Sequence, residues 1–150
     1  MPRDSTSALR RIHLRWGWWT LLVFSAAGLV LESLHGLKIG WYLDAGHETR
    51  RLMFTLGHAH GTLLALVHVA FAATLDALRE VPRDASLALR AASIAIPAGF
   101  WCGGVVIHEA DPNLAILLVP LGAFALLWAC AKTALRLPAT EDSHPPPDDP

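Results

Sequence analysis

Four long apolar segments constrain this chain more than any other feature of its sequence. They run from about Trp16 to Leu37, Leu52 to Leu78, Leu87 to Ile107 and Leu114 to Leu135. Each reaches about 20 residues, the helix length that crosses the hydrocarbon core of a bilayer. Because lipid offers no hydrogen-bond partner to free backbone groups, each segment is predicted to be a helix. The expected fold is an all-α, integral membrane bundle of four transmembrane helices.

The first segment also has the basic start and apolar middle of a secretory signal peptide, with a candidate cleavage site at Ser25–Ala27. The apolar run continues past that site to Leu37, which favours a transmembrane helix over a removed leader. We therefore expect the first segment to stay in the protein and to pair with the other three.

The overall composition agrees with a membrane protein and excludes one class of partner. Hydrophobic residues make up 53% of the chain and charged residues 17%, whereas a soluble domain carries about 25% charged residues. The formal net charge is −1, so no excess of basic side chains is left to neutralise phosphates, and nucleic acid is not an expected partner. The expected surroundings are the lipid bilayer, with other membrane subunits or a homo-oligomer as the protein partners.

The distribution of Lys and Arg predicts the orientation of the four helices. Nine basic residues fall on the side that holds both termini, and three (Lys38, Arg50 and Arg51) fall on the other side. The positive-inside rule then places both termini in the cytoplasm of a multi-pass inner-membrane protein. Residues 1–137 form this transmembrane domain, and the acidic, proline-rich tail, residues 138–150, is predicted to be disordered.

Four titratable side chains are predicted to lie near the outer face. Counted at about 1.5 Å per residue from the outer end of each helix, His35 and His108 lie about 5 Å deep, and Glu32 and His58 lie about 9–10 Å deep. Each shares a helical face with small residues, which mark close helix packing in membranes. These small residues are Ser25, Gly28, Gly61 and Gly104.

The leading hypothesis for this group is a metal site formed by Glu32, His35, His58 and His108. Ionisable groups inside a membrane are costly and usually functional, and imidazole and carboxylate together suit Zn, Cu or Fe. Glu32-x-x-His35 has the spacing of di-iron bundles, but those bundles need two such motifs and two further Glu residues. A mononuclear site with a redox or ligand-handling role is therefore expected. Further side chains are expected around the ligands, and these are Glu109, Asp111, Arg50, Arg51 and His60.

Three other interpretations apply to the same group of side chains. One is a haem b bound by His58 together with His35 or His108, since histidine is a regular haem ligand. Another is a proton relay or quinone-type headgroup site without metal, because histidine titrates near neutral pH. The third is a structural role, in which the side chains only form hydrogen bonds between helices.

Outside this group the sequence predicts little chemistry. His60 lies about 160° around its helix from His58, and His68 lies about 25 Å deep, so both are expected to be structural. His13 and His144 are expected to be solvated. The chain contains no G-x-S-x-G, H-E-x-x-H, phosphate-binding loop or C-x-x-C motif, so no catalytic residue is assigned and the sequence does not decide whether the protein is an enzyme.

Overall fold

The computed structural model describes residues 3–43, 48–78, 80 and 82–138. Four of its helices are long and apolar enough to cross a membrane, which indicates a multi-pass membrane protein. In chain order the helices are α1 (Arg3–Gly36), the short α2 (Gly40–Leu43), α3 (Glu48–Thr74), α4 (Arg83–Val105) and α5 (Leu118–Ala134). The prediction of an all-α chain with four such helices is confirmed. The predicted disordered tail, from residue 139 onward, lies outside the described residues.

Helix α1 is much longer than the apolar segment that predicted it. It begins at Arg3 and has 34 residues, so it adds more than three turns before Trp16. These turns contain four Arg and two Leu residues, which favour helix formation. An ion pair of 2.8 Å joins Arg10 to Asp76 in the 3₁₀ turn that follows α3. The extension matters because it carries His13 into the protein.

The four long helices pack in the order α1–α3–α4–α5, and each contacting pair runs antiparallel. Extensive interfaces join α1 to α3, α3 to α4 and α4 to α5, whereas α1 and α5 share no comparable interface among the described residues. The core therefore lies on α3 and α4. Half of the most apolar window of α4 is buried, but only 6% of that of α1. The large apolar side chains exposed on α1 and α5 form a surface suited to lipid.

Two glycines of α3 allow its neighbours to approach closely. A Cβ atom at Gly61 would overlap the ring of Phe24 on α1, and one at Gly57 would overlap the ring of Trp101 on α4. Aromatic rings thus occupy the space that side chains would fill. The G-x-x-x-G pair of α3 faces α1 through one glycine and α4 through the other, as small residues do in packed membrane helices.

The two ends of the helix row differ. At the terminal end α1 and α4 begin (Arg3 and Arg83), and α3 and α5 end. At the hairpin end a short antiparallel ribbon follows α4, formed by β1 (Ile107–His108) and β2 (Asp111–Pro112). Its two turn residues, Glu109 and Ala110, have φ of 50° and 72°, the left-handed conformation of a tight hairpin turn.

Candidate functional sites

The four predicted ligands lie on three elements at the hairpin end. Glu32 and His35 are exposed near the end of α1, His58 is half-buried on α3, and His108 is exposed on β1. Among the residues that the structure describes, no three His, Cys, Asp or Glu side chains are grouped so that they could hold a metal ion. Binding of Zn, Cu, Fe or haem by these residues stays a prediction.

His58 lies at the contact between α1 and α3. Its Nδ1 is 2.8 Å from the carbonyl oxygen of Phe24. Because a carbonyl only accepts hydrogen bonds, Nδ1 is the donor, and the neutral ring carries no proton on Nε2. The ring covers Gly28, where a Cβ atom would overlap the imidazole. No partner for Nε2 lies among the described residues.

The remaining side chains of the predicted group have different surroundings. His60 donates Nδ1–H to the Leu56 carbonyl oxygen at 2.8 Å, and its ring lies 4.9 Å from that of Phe100 on α4. His60 therefore faces away from α1 and from His58. Glu109 and Asp111 are exposed on the hairpin, where Asp111 is the register partner of His108.

Arg50 and Arg51 have separate roles. Arg50 is 7% exposed and donates to the Trp41 carbonyl oxygen at 3.0 Å and to that of Gly104 at 3.4 Å. Its guanidinium also lies 4.7 Å from the centre of the Trp41 ring. Arg50 thus joins α2 to the end of α4. Arg51 is 3.9 Å from Glu48 and borders an open cleft of about 550 Å³ with His35 and Thr55.

A second polar group, which the sequence analysis missed, is buried toward the terminal end. His13 on α1 and His68 on α3 are both fully buried, and their Nδ1 atoms are 2.7 Å apart. His13 Nε2 is 2.7 Å from Ser86 Oγ, and His68 Nε2 is 3.1 Å from Ser93 Oγ, both on α4. We call these four residues the His13–His68 chain. It links α1, α3 and α4 through side chains alone.

The expectation that His13 is solvated is wrong. His13 lies one turn before Gly17, on the α1 face that packs against α3, and a Cβ atom at Gly17 would be 2.9 Å from the Ala65 carbonyl oxygen. The sequence carried a usable signal. Gly28, Phe24, Gly17 and His13 recur at helical spacing, so extending the small and aromatic stripe of α1 backwards reaches His13.

The surrounding hydrogen bonds assign a tautomer to each ring of the His13–His68 chain. The Ser93 hydroxyl donates its only proton to the Arg90 carbonyl oxygen at 2.9 Å. Ser93 Oγ therefore accepts from Trp16 Nε1–H at 3.1 Å and from His68 Nε2–H. Neutral His68 must then accept at Nδ1 from His13 Nδ1–H, and His13 Nε2 accepts from the Ser86 hydroxyl. Every nitrogen of both rings is satisfied in this arrangement.

Aromatic and cationic groups enclose the His13–His68 chain. The ring of Phe71 lies 4.5 Å from that of His13. Arg90 on α4 has a buried Nε with no hydrogen-bond partner among the described residues, and its carbonyl oxygen accepts from the Ser93 hydroxyl. Pro97 has no N–H, so the Ser93 carbonyl oxygen lacks the hydrogen bond that it would accept in a regular α-helix. This oxygen is a further acceptor near Ser93, the innermost residue of the His13–His68 chain.

Comparison of the chain with known protein families, with curated proteins and with solved structures gave no match. Function is therefore argued from the chemistry of these side chains.

Proposed function

We propose that the protein is a multi-pass inner-membrane protein, with both termini in the cytoplasm, that carries a proton into the membrane along the His13–His68 chain. The orientation is supported by the excess of Lys and Arg on the side of the termini. The observation that carries the proton-relay proposal is the 2.7 Å contact between the Nδ1 atoms of two buried imidazoles. Chains of this kind mark proton pathways in membrane proteins.

The geometry allows a proton to pass without movement of either ring. A proton that arrives at His13 Nε2 from the Ser86 side makes His13 a cation. His13 then releases its Nδ1 proton to His68 Nδ1, which leaves His13 neutral with its proton on Nε2 and makes His68 the cation, with its Nε2–H still donated to Ser93 Oγ. Each imidazole accepts on one nitrogen and donates from the other, as a relay requires.

The same geometry limits the His13–His68 chain to one extra proton. When His13 is a cation, its Nε2–H donates to Ser86 Oγ, so the hydroxyl only has to rotate and no hydrogen bond is lost. A second proton on His68 Nδ1 would place two donors head to head across 2.7 Å. Uptake of a single proton is therefore the expected stoichiometry.

The relay runs from the terminal end into the interior. Ser86 lies three residues after α4 begins, and Ser93 lies seven residues further, about 10 Å along the helix. Beyond it, the rings of Phe24 and Trp101 fill the helix contacts at Gly61 and Gly57. The hydrogen bonds that His58 and Trp101 make there end on the backbone carbonyl oxygens of Phe24 and Phe54, so they do not continue the His13–His68 chain. The expected role is delivery of a proton to a reaction or conformational change within the membrane rather than conduction across it.

Time-resolved infrared spectroscopy after a rapid acidification tests this role in protein reconstituted into liposomes. We expect the histidine protonation bands of the wild type to exceed those of His13→Gln and of His68→Gln by the equivalent of one proton. His60→Gln is the matched control, because His60 is also an intramembrane imidazole of α3 but has no contact with the His13–His68 chain. An unchanged signal in His13→Gln would refute the relay.

A metal or haem is the second candidate, and the orientation of His58 favours it. Histidine ligands typically donate one ring N–H to a carbonyl and bind the metal through the other nitrogen. His58 has this arrangement, with Nδ1–H on the Phe24 carbonyl oxygen. Metal analysis and an absorption spectrum of the purified protein test it, since a Soret band indicates haem and a stoichiometric metal without that band indicates a non-haem site. His58→Ala should then abolish binding and His60→Ala should not.

A further inference from the structure

A row of polar side chains follows the contact between α1 and α3 at the hairpin end. We call it the outer seam, and all its members are exposed or half-buried. Its residues are Glu32, His35, Arg51, Thr55, His58 and Thr62. Unlike the His13–His68 chain, the outer seam lies on the surface of the helix row.

The contact between His58 and Gly28 aligns the two halves of the outer seam. Glu32 lies one turn beyond Gly28 on α1, and Thr55 lies about one turn before His58 on the antiparallel α3. His35, Arg51 and Thr55 line the same open cleft of about 550 Å³. The six side chains therefore share one side of the α1–α3 pair.

That side faces away from α4. On α1, Trp16 is turned toward α4, where it bonds Ser93, and Glu32 lies about 160° around the helix from Trp16. On α3, His60 packs against Phe100 of α4, and His58 lies about 160° around the helix from His60. Neither α4 nor α5 is placed to cover the outer seam.

Some polar groups of the outer seam have partners within the molecule and others have none among the described residues. Arg51 contacts Glu48, and Thr62 donates to the His58 carbonyl oxygen. Glu32 and His35 have no hydrogen bond or ion pair among the described residues, and Nε2 of His58 also lacks a partner. Within a membrane, lipid supplies no partner for such groups, and ionisable side chains there normally face protein or water. Glu32 lies four residues, about 6 Å, inside the end of its candidate span.

We propose that a second copy of this chain packs on the outer seam, so that Glu32 of each copy meets His58 and Arg51 of the other. The outer seam carries a carboxylate together with bases, so it is complementary to itself. A twofold axis along the membrane normal places each residue of one copy at the same depth as that residue of the other copy. The outer seam of one copy then contacts the outer seam of the other. Glu32 lies about one turn from the level of His58 and about one turn from that of Arg51, within reach of either.

One small residue favours the same packing. Ser25 is exposed on the α1 face that leads to Glu32, and small residues allow membrane helices to approach closely, whereas Gly28 on that face is already covered by the His58 ring of its own molecule. The second copy would also double the Glu32-x-x-His35 motif, which di-iron bundles carry twice. This proposal is independent of the His13–His68 relay, which uses other residues toward the opposite end.

Disulfide trapping in lipid bilayers tests the interface. In a background in which the exposed Cys102 and Cys130 are replaced by Ala, Thr55→Cys should form a covalent dimer on mild oxidation. Leu121→Cys is the matched control, since this residue is 64% exposed and lies on the α5 surface near the same end. Equal trapping at both positions would mean random collision and would overturn the proposal.

Exchange of the charged partners sharpens the test. Glu32→His and His58→Glu should each raise the dissociation constant of the dimer by about sevenfold, because the twofold axis makes each substitution remove two intramembrane hydrogen bonds. The double variant should dimerise more tightly than either single variant, because it restores the pair with its partners exchanged, while the hydrogen bond from His58 to the Phe24 carbonyl oxygen stays lost. Glu32→Gln, which keeps the shape of the side chain, controls for misfolding. A double variant no better than either single variant, or a protein that stays monomeric in bilayers, would show that lipid or another subunit covers the outer seam.

Discussion

The His13–His68 chain and the outer seam contain the same kind of side chain in opposite situations. In the His13–His68 chain both rings are fully buried, and all four ring nitrogens have hydrogen-bond partners within the same protein molecule. In the outer seam, His58 anchors one nitrogen on a backbone carbonyl and leaves the other without a partner among the described residues. The first group is complete in one molecule and the second is not. The contacts of the second ring nitrogen therefore indicate whether an intramembrane histidine is satisfied within one molecule. Its depth in the membrane does not.

Loss of His68 should have the largest effect on stability. His68→Ala leaves a cavity in the core and removes the acceptor of His13 Nδ1–H, so we expect the free energy of unfolding to fall by about 2–4 kcal/mol. His58→Ala, in the outer seam, should change it by less than about 1 kcal/mol. Reversible unfolding in mixed detergent measures both. Equal losses would remove the distinction between the two regions.

Overpacking the contact between α1 and α3, where both regions lie, should have the next largest effect on stability. Gly61→Val places methyl groups in the space that the Phe24 ring occupies, and such overpacking destabilises by about 1–3 kcal/mol. Gly36→Ala is the control, because a Cβ atom there meets nothing within 4 Å. Thermal unfolding of the two variants gives the comparison, and a Gly61→Val protein as stable as Gly36→Ala would contradict the close packing.

The contact between Trp16 and Ser93 should contribute a smaller amount. Both residues belong to the network around the His13–His68 chain, so Trp16→Phe and Ser93→Ala should show non-additive effects. A double-mutant cycle should give a coupling of about 0.6 kcal/mol, the average for hydrogen bonds between membrane helices. Additive effects would mean that Trp16 packs on α4 without that hydrogen bond.

The ion pair between Arg10 and Asp76 should contribute least. Its side chains are 41% and 61% exposed, and exposed pairs of this kind contribute about 0.2–1 kcal/mol and are screened by salt. Asp76→Asn should therefore lower the unfolding temperature slightly at low ionic strength and not at high ionic strength. A large, salt-independent effect would place this pair inside the structural core.

The sequence predicts the four helices because their hydrophobicity and length leave few alternatives in a membrane. It does not predict where α1 begins, because residues 3–15 are polar enough to be a solvent-exposed segment before the first membrane helix. The position of this boundary decides whether His13 is buried. The order α1–α3–α4–α5 also escapes a sequence argument, because it depends on individual contacts such as Gly57 with Trp101. Depth along a helix placed Glu32, His35 and His58 at one end, but depth alone does not show which groups touch.

The hydrogen bond between His13 and His68 is the central claim, and ¹⁵N nuclear magnetic resonance of histidine-labelled protein in lipid bilayers tests it most directly. Near neutral pH we expect His13 to carry its proton on Nδ1 and His68 to carry its proton on Nε2. A through-hydrogen-bond coupling should join the two Nδ1 atoms, which are 2.7 Å apart, and His68→Gln should remove it. Two rings in the same tautomer with no coupling between their Nδ1 atoms would contradict the account.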